Sequence, residues 1–227
     1  ETQASGELVM EGVHRLVYRV PLGNSPWKGA SEPLAVLVVF VDFDCPNTAR
    51  MAPMLDRLLA AHPEELRVVY KAYPIPGHGF APEAALAAAA ARAQGLFWET
   101  HDLLLADPKR HGPEDLERLA ERAGLDLERF RKALESETLA AGIADDVALG
   151  HRIGVTGTPS FVLNGRRFEG TVPYRTIDER VTAAIADGRT LVDRGVPRAE
   201  VYETLVRDGL ELVPPRHFDT TPDEPTL

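Results

Sequence analysis

Cysteine is almost absent from this chain, since Cys45 is the only one among 227 residues. A single thiol excludes an internal disulfide, so the fold must be held together by its hydrophobic core alone. It also excludes a zinc site built from paired cysteines, and the seven histidines are scattered without the spacing of metal ligands. We therefore expect no metal and no cofactor.

The chain also lacks an excess of positive charge and any long apolar run. The formal net charge is -10, which argues against nucleic-acid binding and against attraction to an anionic membrane surface. The longest apolar stretch, PLAVLVVFV, has the length of a buried strand and falls short of the roughly 18 to 20 residues that cross a bilayer. We expect no membrane insertion.

The apolar pattern predicts an α/β fold. A continuous apolar run at 34–43 is typical of a strand that is covered on both faces. From residue 46 to 62 the apolar residues recur at spacings of three and four, which predicts one helix, and 66–73 is typical of a second strand. Strand, helix and strand form a βαβ unit with a right-handed crossover.

The second half predicts a helical block, then a hairpin and a helix. About seventy residues after the second strand have helical character. Asn164-Gly165 predicts a two-residue hairpin turn between strands at 160–163 and 166–169. We expect the last helix of the core to end near Gly188.

These elements divide the chain into three parts. We expect an N-terminal segment at 1–33 and a main domain at 34–187, which carries a helical insertion at about 80–152. A C-terminal helix and a flexible tail follow at 188–227. The predicted order is β-α-β, helical insertion, β-β-α.

The stretch VDFDCPNTARM places Cys45 between a strand and a helix. Pro46 suits the first helical position, and free N–H groups and the helix dipole would stabilise a thiolate there. The alternative is an ordinary buried cysteine that packs as a small hydrophobe. Asp42 and Asp44 would disfavour a thiolate through their charge, unless Asp44 simply faces solvent.

A second feature lies far away in the sequence. Thr158-Pro159 directly precedes the strand at 160–163, which should lie beside the first strand and bring this peptide near Cys45. A proline there can equally be an ordinary trans residue at the start of a strand. Thr48 could donate a hydrogen bond to the thiolate, or be a plain threonine of the first helical turn.

Two histidines are weaker candidates. His78 lies on the loop that leaves the second strand and could approach Cys45 as a base, although a loop role is the favoured interpretation. For His101, beside Asp102 in the helix of Trp98, we expect capping or packing.

Three motifs in this order resemble the DsbA-like form of the thioredoxin fold, over about residues 15–187. VDFDCPNTARMAPML resembles the active-site strand and helix, usually written Cys-Pro-x-Cys. AQGLFWETHDLLL resembles the inserted helical segment, and GVTGTPSFVLNGRRFEG resembles the cis-proline loop and hairpin. The resemblance implies that Cys45 is the nucleophilic thiol. It further implies that a bound peptide meets Pro46, the backbone of Thr158, and Pro159 as the cis-proline.

The chain departs from the family at Thr48, which stands where the second cysteine is expected. A dithiol enzyme passes on its own disulfide, or resolves a mixed disulfide with its second thiol. Neither route is open within this chain. We predict a monothiol protein in which Cys45, assisted by Thr48, forms mixed disulfides with a protein, a peptide or glutathione.

Two other functions stay open at this point. The chain could be a non-catalytic peptide-binding module, acting as a chaperone or adaptor. It could also be a kappa-like glutathione transferase or isomerase, a branch that is similar in its helical insertion. The resemblance implies export to an oxidising compartment such as the periplasm, while no signal peptide is visible in the sequence.

Overall fold

The computed structural model describes residues 16–213, and the predicted flexible tail after this range and the first part of the N-terminal segment lie outside the described residues. Within it, five strands form one sheet in the order β1-β3-β2-β4-β5. Strands β2 and β3 are parallel, and the other neighbours are antiparallel. The strands are β1 (Trp27–Gly29), β2 (Ala35–Val41), β3 (Leu66–Ala72), β4 (Ser160–Leu163) and β5 (Arg166–Glu169).

Eight α-helices accompany the sheet in the described range. They are α1 (Pro46–Ala61), α2 (Ala81–Arg92), α3 (Phe97–Ala106), α4 (Pro113–Arg122), α5 (Leu127–Leu134), α6 (Glu137–Arg152), α7 (Tyr174–Asp193) and α8 (Val201–Val206). Helices α2 to α6 fill the interval between β3 and β4. The order of elements confirms the predicted α/β class, including the hairpin strands at 160–163 and 166–169.

Strand β2 is the centre of the core, and all seven of its residues are buried. Leu37 and Val39 belong to the cluster that includes residues of α1 and α7. Val36 and Val38 belong to the second cluster, which includes residues of α6 and α8. Because successive side chains of a strand point to opposite faces, coverage of both faces explains why the apolar run shows no alternation.

Helix α7 extends to Asp193 and does not end near Gly188 as the sequence predicted. Gly188 is buried where the helix meets the chain before β2. A Cβ at this position would lie 2.3 Å from the carbonyl oxygen of Leu34. The glycine therefore permits a close approach of two backbones and does not end the helix.

Gly188→Ala should lower the free energy of unfolding by about 1–2 kcal/mol, because overpacking against backbone outweighs the roughly 1 kcal/mol that alanine gains in helix propensity. Gly142→Ala is the matched control, since Gly142 also lies in a helix but has nothing within 4 Å of an added Cβ. This variant should be more stable than the parent by up to about 1 kcal/mol. Denaturant unfolding measures both. Equal shifts in the two variants would contradict the packing argument.

The sequence did not predict β1, because three residues are too few to show a pattern. This strand pairs antiparallel with β3 at one edge of the sheet. Its Trp27 ring lies 4.3 Å from the guanidinium carbon of Arg67. The cation–π contact and the strand pairing fix this edge.

The C-terminal extension packs on the sheet through α8. The hydroxyl of Tyr202 donates to the carbonyl oxygen of Val20 at 2.7 Å. Tyr18 and Leu210 form a parallel bridge nearby. The extension is thus joined to the chain segment that precedes β1.

A buried ion pair links β3 to α6. The Nζ atom of Lys71 lies 2.9 Å from Oδ1 of Asp146, and the side chains are 7% and 21% exposed. Oδ2 of Asp146 accepts a hydrogen bond from the backbone N–H of Ala72 at 3.0 Å. Burial raises the pKa of Asp146, and the nearby charge of Lys71 opposes this shift in part. Removing the carboxylate from water therefore weighs more than its attraction to the ammonium group.

Candidate functional site

Cys45 is the residue that caps the N-terminus of α1. Its backbone is extended (φ -84°, ψ 116°), and Pro46 is the first residue of the helix. The carbonyl oxygen of Cys45 accepts the first helical hydrogen bond, from Ala49 at 3.3 Å. The residue is 5% exposed. The thiol therefore lies at the positive end of a sixteen-residue helix.

The predicted meeting of Cys45 with the loop before β4 occurs in the structure. Strand β4 pairs with β2, with Phe40 opposite Ser160, so the residues after β2 lie beside those before β4. Sγ of Cys45 donates to the carbonyl oxygen of Thr158 at 3.3 Å. The Thr158–Pro159 peptide bond is cis.

Thr48 lies in the first turn of α1 but does not contact the thiol through a hydrogen bond. The residue is 4% exposed. In the part of the chain that the structure describes, its Oγ1 atom has no hydrogen-bond partner. A buried hydroxyl of this kind keeps an unused donor three residues after Cys45.

Asp42 is buried and its carboxylate is fully engaged. Oδ1 accepts from the N–H of Asp44 at 2.8 Å, and Oδ2 accepts from the N–H of Ile75 at 2.9 Å. Oδ2 also lies 2.7 Å from Nδ1 of His78, whose side chain is 35% exposed. His78 is therefore a partner of Asp42 in this structure, and the hypothesis of a base acting on Cys45 has no contact to support it.

Asp44 does not face solvent, since its side chain is only 9% exposed. Oδ2 accepts from the N–H of Phe80 at 2.8 Å, and Oδ1 is hydrogen-bonded to Nδ1 of His111. The other ring nitrogen of His111 lies 3.0 Å from the carbonyl oxygen of Leu104. Asp44, which directly precedes Cys45, thus links the end of the β2 segment to the start of α2 and to the loop between α3 and α4.

The contact of Asp44 with His111 is the part of the site that sequence reasoning missed. The two residues are 67 positions apart, and His111 lies between two helices with no motif around it. The pairing of β2 with β4 makes the contact of Thr158 with Cys45 predictable. A loop between two helices has no such pairing with the end of a strand, so its contacts cannot be predicted in the same way. A histidine directly before the Gly-Pro that opens a helix is too common a pattern to indicate this contact.

His101 packs in an aromatic cluster, as expected. Its ring lies within 4.8 to 5.8 Å, between centroids, of Tyr70, Trp98 and Phe43. Nδ1 lies 2.7 Å from Oδ1 of Asp102. This hydrogen bond lowers the pKa of the Asp102 carboxyl.

Within residues 16–213 the structure offers neither a candidate metal centre nor a membrane-spanning helix. There, no three or more side chains of histidine, cysteine, aspartate or glutamate are placed so as to hold a metal ion. No helix in the same range combines the length and the apolarity that a bilayer crossing requires.

A family model described as Thioredoxin matches residues 22–183. Among curated proteins, the chain is similar to the Na(+)/H(+) antiporter NhaA 3 of Salinispora tropica, with 38% identity over 186 residues. This match covers 82% of the chain but 28% of that protein. The chain thus spans little more than a quarter of the length of the curated relatives that it matches.

Solved structures show the same fold. A thioredoxin-like oxidoreductase from Silicibacter pomeroyi is 33% identical, with a TM-score of 0.66 over 71% of this chain and 92% of that one. A periplasmic thioredoxin-like protein from Salmonella enterica serovar Typhimurium is 26% identical, with a TM-score of 0.63 over 77% and 96%. The thiol-disulfide exchange protein alpha-DsbA2 of Wolbachia pipientis, at 17% identity, shares the fold alone, with a TM-score of 0.65 over 80% and 95%.

Proposed function

The chain belongs to the Thioredoxin family and has its DsbA-like fold, and from this premise we propose that it performs thiol–disulfide exchange through the single thiol of Cys45. One observation carries the proposal: this thiol is held at the N-terminus of α1, with Sγ 3.3 Å from the carbonyl oxygen of Thr158. The N–H groups and the dipole at a helix N-terminus stabilise a thiolate. The thiolate is the nucleophilic form of cysteine.

In the proposed reaction, the Cys45 thiolate attacks one sulfur of a substrate disulfide. A new S–S bond forms to Cys45, the substrate S–S bond breaks, and the second substrate sulfur leaves as a thiolate. Thr48 offers a hydroxyl where a resolving sulfur would be needed. A thiol from a partner protein or from glutathione must therefore attack the mixed disulfide and release Cys45.

The substrate is proposed to lie along the loop of Thr158 and Pro159. In the thiol form, the S–H group of Cys45 occupies the carbonyl oxygen of Thr158. Loss of the thiol proton ends that hydrogen bond, so the oxygen can accept an N–H from an extended peptide chain. Pro46 is exposed at the start of α1 and would form the other side of the substrate contact.

The thioredoxin-like oxidoreductase at 33% identity favours exchange over a non-catalytic peptide-binding module and over a kappa-like glutathione transferase. The antiporters share only about a quarter of their length with this chain. The proposal therefore concerns the thiol chemistry of this thioredoxin-like part and not ion transport. An oxidising compartment would suit it. The periplasmic relative from Salmonella enterica supports that assignment.

We expect oxidised glutathione to form a mixed disulfide with the native protein, at one glutathione per chain, because the chain has one cysteine. The measurement is intact mass after exposure, with reversal by a reducing agent. Cys45→Ser is the control: a hydroxyl can still donate to the Thr158 carbonyl, but it cannot form a disulfide. If the native parent gains no mass while the unfolded parent does, the proposal of an exchange-active thiol is wrong.

A further inference from the structure

His111 is fully buried and both of its ring nitrogens face oxygen atoms. Nε2 lies 3.0 Å from the carbonyl oxygen of Leu104, and Nδ1 is hydrogen-bonded to the carboxyl group of Asp44. A carbonyl oxygen can only accept, so Nε2 must carry a hydrogen atom. With a proton on Nε2, Nδ1 of a neutral His111 ring has no hydrogen atom and can only accept a hydrogen bond from Asp44.

A second proton must lie between His111 and Asp44. If Nδ1 carried none and the carboxylate were ionised, two lone pairs would face each other inside the protein, which is unfavourable. With one proton in this contact, the two residues form either an imidazolium–carboxylate pair or an imidazole–carboxylic acid pair. Both forms have zero net charge.

We propose that His111 is a positioning residue that cancels the negative charge of Asp44 beside Cys45. A carboxylate next to a thiol disfavours the thiolate, and Asp44 directly precedes Cys45 in the chain. Pairing with His111 removes this opposition without removing the carboxyl group. That group in turn holds the N–H of Phe80 at 2.8 Å. This role rests on the exchange function proposed for Cys45.

The other charged groups near the pair have contacts of their own, so they do not replace His111. Close to the pair in sequence, Asp42 lies 2.7 Å from His78, and Asp115 lies 3.5 Å from Arg110 and 2.6 Å from Arg118.

The test uses the rate of Cys45 alkylation by iodoacetamide as a function of pH, and this reagent labels one site because the chain has one cysteine. His111→Gln keeps an N–H donor for Asp44 but cannot hold the extra proton. It should shift the pH–rate profile to higher pH by about one unit, which is a tenfold loss of rate on the rising part of the profile. His62→Gln is the matched control. His62 pairs with Asp178 at 3.0 Å at the far end of α1, about 25 Å away, and its profile should not move.

The variant Asp44→Asn/His111→Gln separates charge from structure. With the carboxylate removed as well, the profile should return to within about 0.3 pH units of the parent, and thermal melting shows that each variant is folded. A merely structural role predicts that the double variant is as impaired as His111→Gln, or more so, and that result would overturn the inference.

If the parent itself forms no mixed disulfide with glutathione, the exchange function fails. A profile unchanged by His111→Gln, in a parent that does form one, removes only the role of His111.

Discussion

Thr48→Cys should convert the chain into a dithiol protein that forms an internal disulfide and passes it to a reduced peptide. Position 48 is the third residue of α1, and Cys45 is the N-cap. The side chain of an N-cap residue normally reaches back over the third helical residue, so two sulfurs at these positions come within disulfide distance. Thr48 is already buried, and a sulfur there replaces a hydroxyl that has no partner in the described residues.

The expected gain is large because an internal thiol resolves a mixed disulfide without waiting for an external one. Well-oriented groups within one molecule react as if present at very high concentration, so we expect disulfide transfer to a reduced dithiol peptide to rise by about a hundredfold or more over the parent. Peptide fluorescence or mass can follow this transfer. Thr48→Ser is the matched control and should behave like the parent. Two free thiols that persist under oxidised glutathione would show that the geometry at α1 does not allow the bond.

Asp146→Ala should lower the free energy of unfolding by about 3–5 kcal/mol, because it leaves the ammonium group of Lys71 buried and unpaired. Lys71 is 7% exposed at the side chain and lies 2.9 Å from the carboxylate. The substitution also takes the acceptor from the N–H of Ala72. For comparison, most substitutions of exposed residues change stability by less than about 0.5 kcal/mol.

The matched variant is Lys71→Met/Asp146→Asn, which removes both charges and keeps an oxygen for the N–H of Ala72. Because burial already opposes ionisation of Asp146 and raises its pKa, loss of the whole ion pair should leave stability within about 1 kcal/mol of the parent. Denaturant unfolding of parent, single and double variants completes the comparison. A double variant as unstable as Asp146→Ala would mean that the pair itself, and not the lone charge, sets the effect.

Local patterns and strand register explain what the sequence could predict. The apolar run of β2 and the spacing in α1 fixed the position of Cys45, and Asn164-Gly165, with φ of 44° and 82°, forms the predicted turn. Once β2 and β4 pair, the distance from Cys45 to the loop of Thr158 follows from chain geometry. These parts depend on neighbours in sequence or on one strand pairing.

The missed parts depend on packing between helices and on single atoms. His111 reaches Asp44 only because α3 and α4 are arranged around the strand ends. Likewise, Gly188 looks like a helix end in the sequence, but it is a point of close backbone approach to Leu34. The hydroxyl of Thr48 could form a hydrogen bond by its chemistry, yet its orientation leaves it without one among the described residues.

The contacts around Cys45 also determine when, during synthesis, the thiol becomes sheltered. Asp44 is hydrogen-bonded to Phe80 and His111, which follow it by 36 and 67 positions. Cys45 is hydrogen-bonded to Thr158, which follows it by 113 positions. Contacts of such long range close large loops, so they form late in folding. A chain still on the ribosome cannot complete the contact of Cys45 until Thr158 has emerged. Until then the nascent chain leaves its one sulfur accessible to any disulfide in its surroundings, and the time needed to synthesise the 113 positions from Cys45 to Thr158 sets a lower limit on that exposure.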